Sequence, residues 1–89
     1  MAFRHDSGKG FSIVCGGAYV GADNEIRHVV MISKVGRGHS VSWDSTPYTH
    51  DYWRDLHKRP NGRPEGIMAM KEFKKWAQHV LLTPLEIDA

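Results

Sequence analysis

The sequence predicts an α+β domain: an antiparallel sheet of three or four strands from residues 11–44, a long loop, and one C-terminal helix. Three observations predict it. Residues 11–44 carry apolar runs broken by glycine-containing turns, and the stretch that follows, up to Gly66, has no sustained periodicity and holds Pro47, Pro60, Pro64 and Asn61. Beyond it, Met70, Phe73, Ala77, Val80 and Leu81 recur at helical spacing.

In chain order, Met1 to Gly10 sets Gly8 and Gly10 among polar residues and reads as a flexible lead-in over residues 1–10. The run FSIVCGGAYV, the turn cluster Gly21-Ala22-Asp23-Asn24 and the run IRHVVMISKV read as two strands joined by a short loop. Strict alternation in the second run places His28, Val30 and Ile32 on one face and Val29, Met31 and Val35 on the other. Both faces are largely apolar, so this strand belongs in the middle of a sheet. Gly36-Arg37-Gly38 supplies a tight turn, after which HSVSWD sets Val41 and Trp43 opposite Ser40, Ser42 and Asp44. The loop beyond Asp44 is long for so small a domain and holds one helical turn near His50–Leu56. In the last element Trp76 joins the apolar positions, while Lys71, Glu72, Lys74, Lys75 and Gln78 take the solvated side, and Pro84 ends the helix. The domain is therefore expected over 11–83, with 84–89 a tail. One helix covers one sheet face, so the other face calls for loop aromatics, a homodimer or a protein partner.

The composition, with 40% apolar and 25% charged residues in 89, is that of one small folded unit rather than a disordered chain. No run approaches the roughly 18 apolar residues of a membrane span, and no secretory core follows the N-terminus, so a cytoplasmic location without membrane contact is the default expectation. Cys15 is the single cysteine, which excludes an internal disulfide and the cysteine-rich zinc sites. A net charge of +2 permits attraction to phosphates without demanding it. His50 with Asp51 and His57, or His39 with Asp44, offer nitrogen and oxygen ligands, but the His50–His57 interval matches no compact ligand spacing, and Gly16-Gly17 lacks the Lys-Ser/Thr of a phosphate loop, so no metal and no cofactor is expected.

Two constellations carry chemistry. Across an antiparallel hairpin, facing residues have numbers of constant sum. A turn centred on Gly36 or Arg37 makes that sum 72 or 74, placing His28 opposite Asp44 or one diagonal step away on the same face. An odd sum places them on opposite faces. A carboxylate facing an imidazole orients it as a base, the arrangement of a nucleophile–His–acid triad, and raises its pKa unless burial offsets the effect. The plain alternative is a core histidine and a turn-forming aspartate. The second constellation is basic: Arg54, His57, Lys58, Arg59 and Arg63 gather around Pro60-Asn61-Gly62, with Tyr48, Tyr52 and Trp53 upstream, the mixture that grips phosphates and stacks on bases. A solvated loop and a protein-contact surface have the same composition.

The run RHVVMISKVGRGHSVSWDSTPY, followed by GRPEGIMAMKEFKKWAQ, resembles the second half of papain-like cysteine peptidases of the bacteriocin-processing and type III effector kinds. The resemblance implies His28 and Asp44 as the catalytic His and acid, with Phe73 and Trp76 on a later short helix. That family's nucleophile stands at a helix N-terminus in a preceding half-domain, with a Gln ahead of it, and neither is found among these residues. Cys15 sits in a predicted strand only thirteen residues before His28, and reads as a buried structural thiol. The resemblance thus implies a catalytically incomplete domain that binds a peptide or protein partner. The other classes are a small nucleic-acid-binding module and an inhibitory or adaptor protein.

Overall fold

A computed structural model describes residues 5–45 and 52–82, with the backbone alone at Tyr52, Trp53 and Leu82. In chain order the elements are β1 (His5–Asp6), β2 (Ser12–Ile13), β3 (Ala18–Gly21), β4 (Ile26–Val35), β5 (Gly38–Asp44), α1 (Tyr52–Leu56), β6 (Gly66–Ala69), α2 (Met70–Trp76) and β7 (Ala77–Leu82). β1 and β2 form a two-stranded ribbon. The other five make one antiparallel sheet in the order β6-β5-β4-β3-β7. The fold is α+β, but richer in strand than the sequence predicts.

Local chemistry accounts for the turns. Between β3 and β4, Asn24 adopts a left-handed φ of 63° and the Asp23 carboxylate accepts from the Glu25 amide at 2.9 Å, as an Asx turn requires. Between β4 and β5 the loop is the pair Gly36-Arg37, flanked by the paired residues Val35 and Gly38. Gly36 takes φ of 58°, a conformation open to glycine at no steric cost.

Two strands correct the expected helix and the expected loop. The periodicity from Met70 to Leu81 forms a helix only as far as Trp76, after which the chain extends and pairs with β3. A strand wins there because Val80 and Leu81 suit a pleated edge and β3 offers an unpaired ladder, whereas isolated helix propensity is a weak force. At the other end of the helix, Gly66–Ala69 pairs with β5. Four residues are too few for an alternation signal to stand out in a sequence.

The helix joins the two outermost strands of the sheet. Seven residues of α-helix advance only about 10 Å, whereas four interstrand spacings in a flat sheet span about 19 Å. The sheet must therefore coil strongly, and its concave side encloses Ile13, Tyr19, Val29, Val41, Met70, Phe73 and Ala77. Tyr19 and Phe73 meet edge to face at 5.6 Å, both with no exposed surface. The buried Tyr19 hydroxyl donates to the Ser12 carbonyl at 2.7 Å and accepts from the Val14 amide at 2.8 Å, fastening the β2 segment to the core.

The predicted lead-in is tied down from His5 onward. His5 and Asp6 pair with Ile13 and Ser12, and Lys9 Nζ donates to the carbonyls of Lys74, Lys75 and Ala77 at 2.9, 3.2 and 2.7 Å. A cation at the C-terminal carbonyls of α2 meets the negative end of the helix dipole. Residues 1–4 and the predicted tail 84–89 lie outside the described residues.

At one end of the sheet the Arg27 guanidinium is sandwiched between Trp43 and Trp76, 4.1 and 4.3 Å from their rings. Gly66 and Gly21 back the two indoles, and a methyl group at either glycine would collide with the ring beside it. Arg27 also pairs with Glu25 at 3.1 Å.

Candidate functional site

His28 and Asp44 are register partners across β4 and β5, as a pairing sum of 72 requires. The route to that sum differs from the predicted one. The two-residue loop sets an odd sum, 73, from Val35–Gly38 back to Met31–Ser42, and a bulge at Val30 then restores 72 at Val29–Trp43 and His28–Asp44. The bulge also overturns strict alternation along β4. Val29 and Ile32, on opposite faces by alternation, both join the core, whereas Val30 packs with Leu56 of α1 in a separate buried pair.

Facing is not pairing. Asp44 is 1% exposed, and its carboxylate accepts from Nη1 of Arg59, which the turn after α1 delivers. No hydrogen bond joins it to His28 among the described residues. Burial, the larger effect, lowers the His28 pKa, and the Asp44 charge offsets it only in part, so burial outweighs the rise that a facing carboxylate alone would give. Cys15 is also corrected: its residue is exposed rather than buried, its Sγ donates to the Val30 carbonyl at 3.4 Å, and the partial desolvation of the thiol raises its pKa. Among the described residues, His28 thus faces Asp44 without a hydrogen bond to it, the carboxylate is held by Arg59, and burial raises the pKa of the Cys15 thiol.

The basic loop divides. Arg54, His57, Lys58 and Arg63 are exposed, and Lys58 approaches Asp55 at 3.7 Å. Arg59 belongs instead to the fold, as the partner of a buried carboxylate. The side chain of Trp53, like residues 46–51 with Tyr48 and His50, lies outside the described residues.

A concavity lies elsewhere among the described residues. A cleft of about 440 Å³ is lined by His5 from β1, Gly38 and His39 from β5, Ala69 from β6, and Met70, Lys71, Lys74 and Lys75 from α2. The three lysines stand at i, i+3 and i+4 and so share one helix face. Among the described residues they enter no salt bridge, and no carboxylate lines the cleft. The His5 and His39 rings meet at 4.6 Å with planes inclined by 67°. Burial, then His39 and Lys74, holds the His5 imidazole below its ordinary pKa. This is a volume suited to a small ligand or one unit of a polymer, walled by positive charge.

The sequence carried half of this site. The lysine spacing is visible, but it reads as the solvated side of a helix. Only the return of β1 and β5 to the same place adds the histidines and makes a face into a cleft. Among the described residues no group of three His, Cys, Asp or Glu gathers as metal ligands, and no helix is long and apolar enough to cross a membrane. Comparison with protein-family models, with curated protein sequences and with solved structures returns no match.

Proposed function

We propose that this domain is a nucleic-acid-binding module whose primary contact is the lysine-walled cleft. The observation that carries the reading is the convergence of Lys71, Lys74, Lys75, His5 and His39 on one concavity that no carboxylate lines among the described residues. Like charges held together repel, and a bound phosphate relieves that repulsion while releasing condensed counterions. The exposed Arg54, His57, Lys58 and Arg63 supply further cations for a longer polymer. Lysine ammonium groups act as point charges, which suits backbone phosphates more than the reading of bases, so affinity without strong sequence preference is expected.

Fluorescence anisotropy with a labelled single-stranded oligonucleotide tests this. Binding should weaken steeply with salt, and Lys71→Glu combined with Lys75→Glu should remove most of it while leaving the melting temperature nearly unchanged. Tight binding that ignores both salt and the double substitution sinks the reading. Equal capture of an acidic peptide would reassign the cleft to protein carboxylates.

A second reading has its own observation. Among the described residues β6 and β7 are the two edges of the sheet, each paired on one side, and Ile67, Val80 and Leu81 are exposed on them. An unpaired edge with apolar side chains is a template for an extended peptide, the partner implied by the resemblance to the papain-like second half. Under that reading the domain binds without catalysing, and Leu81→Lys impairs peptide binding while leaving oligonucleotide binding intact.

A further inference from the structure

We infer that the cleft takes a single unpaired nucleotide, its base lodged in the concavity and its phosphate on the lysines, so that the domain selects single-stranded over duplex nucleic acid. The inference rests on the reading of the cleft as a phosphate site and adds the part of the ligand that is not phosphate. Its ground is how the lining is divided. Lys71, Lys74 and Lys75 all come from α2, whereas β1, β5 and β6 contribute His5, Gly38, His39 and Ala69, and Met70 opens the helix with an apolar side chain. A ligand matched to that lining has an anionic end and a flat, uncharged body. A nucleotide has that form, because every base presents a π-face that packs on imidazole rings and on the polarizable thioether of methionine.

Size and shape set the strandedness. A volume of about 440 Å³ lies at the small end of ligand pockets and suits one nucleotide unit rather than a stacked pair of strands. A helix that reads duplex DNA must project into a major groove about 12 Å wide. Here α2 has seven residues, is flanked directly by a paired strand at each end, buries Met70 and Phe73, and sets its lysines along a concavity shared with β1 and β5. It is recessed, not projecting. The walls are also fixed in place. Lys9 Nζ holds the carbonyls at the C-terminal end of α2, β1 pairs with β2, and the β4–β5 ladder runs without irregularity from Met31–Ser42 past His39 to Val35–Gly38. A strand that is already single can splay a base into such a concavity, whereas a duplex must first break stacking and pairing.

Three probes with equal numbers of phosphates separate the base from the backbone: oligothymidylate, an oligomer of abasic sites, and a thymidine–adenine duplex. In fluorescence anisotropy at fixed ionic strength, oligothymidylate should bind about tenfold more tightly than the abasic oligomer, the contribution of one stacked base. The salt slopes of the two should agree, because their phosphate contacts are the same. The duplex should bind more weakly than oligothymidylate. The methyl resonances of Ala69 and Met70 locate the base: its ring current should move them when oligothymidylate is added, and the abasic oligomer should not. Equal affinity for the two single strands, a duplex that binds as tightly as oligothymidylate, or methyl resonances that stay in place overturns the inference while leaving the phosphate reading standing. Absence of salt-dependent binding to all three probes overturns both.

Discussion

The two charged regions of this protein use similar residues to opposite ends. The buried Asp44 carboxylate and the partly exposed Arg59 guanidinium answer each other as an ion pair, and burial lowers the pKa of His28, which faces Asp44 across the hairpin. Around the cleft, Lys71, Lys74 and Lys75 share a concave wall with two histidines, and among the described residues these lysines enter no salt bridge. Charge that is answered inside the molecule holds the fold together, and under the proposed reading charge that is gathered and left open to solvent is available to a ligand. Asp44 is of the first kind, and the proposal places the helix lysines in the second.

The largest expected effect is on the closed side. Asp44→Ala strips a buried partner from Arg59 and should cost about 3 kcal/mol in urea denaturation, at the lower end for a broken buried pair because Arg59 remains partly exposed. Oligonucleotide affinity and its salt slope should not change. A loss below about 1 kcal/mol would remove the distinction between the regions, since surface pairs contribute that little. Arg59→Glu belongs with it: a second carboxylate facing Asp44 should destabilise the fold, whereas Lys58→Glu should stay within about 0.5 kcal/mol.

On the open side the effects exchange places. Lys74→Glu with Lys75→Glu should leave stability within about 0.5 kcal/mol and weaken oligonucleotide binding by roughly tenfold or more, with a salt slope smaller by about two. A large fall in melting temperature would show these lysines to be structural after all. Lys9→Ala probes the boundary between the regions, because its ammonium group holds the end of the helix that carries the lysines. A loss of about 1 kcal/mol is expected in thermal melts.

The smallest effect is the pH dependence of stability. The folded state holds His28 and His5 below the ordinary histidine pKa, so below about pH 6.5 the unfolded chain binds protons that the folded chain resists. Melting temperature should therefore fall as the pH drops from 7.5 to 5.5, and His28→Gln should flatten part of that slope. A melting temperature that rises on acidification would mean that Asp44, and not burial, dominates the environment of His28.

Particular residues show how far the sequence was legible. The β3–β4 and β4–β5 turns were readable because Asn24 and Gly36 encode them locally, but the run FSIVCGGAYV, read as one strand, breaks at a turn at Cys15 and Gly16 into β2, which pairs with β1, and the four-residue β3. The facing of His28 and Asp44 was anticipated by an even pairing sum, yet the turn gives an odd one and the bulge at Val30 restores the facing. A bulge leaves no composition signal when Val and Met occupy it. The helical spacing of Val80 and Leu81 misled for a related reason: an apolar pair fits a helix stripe and a sheet edge equally well until the neighbouring strand is known.

By itself the sequence determined a small, single folded unit with a strand-rich first half, a helix beginning near Met70 and a surplus of cations, because composition, turn chemistry and short-range periodicity act within a few residues of chain. Only the tertiary structure decided which cations are spent on the fold. The coiling that lets a seven-residue helix link the two sheet edges is a property of the whole sheet. The meeting of His5 and His39 with the helix lysines, and of Asp44 with Arg59, depends on contacts between segments distant in sequence. Electrostatic energy depends on distance and burial in space, and neither is encoded in any local stretch of the chain.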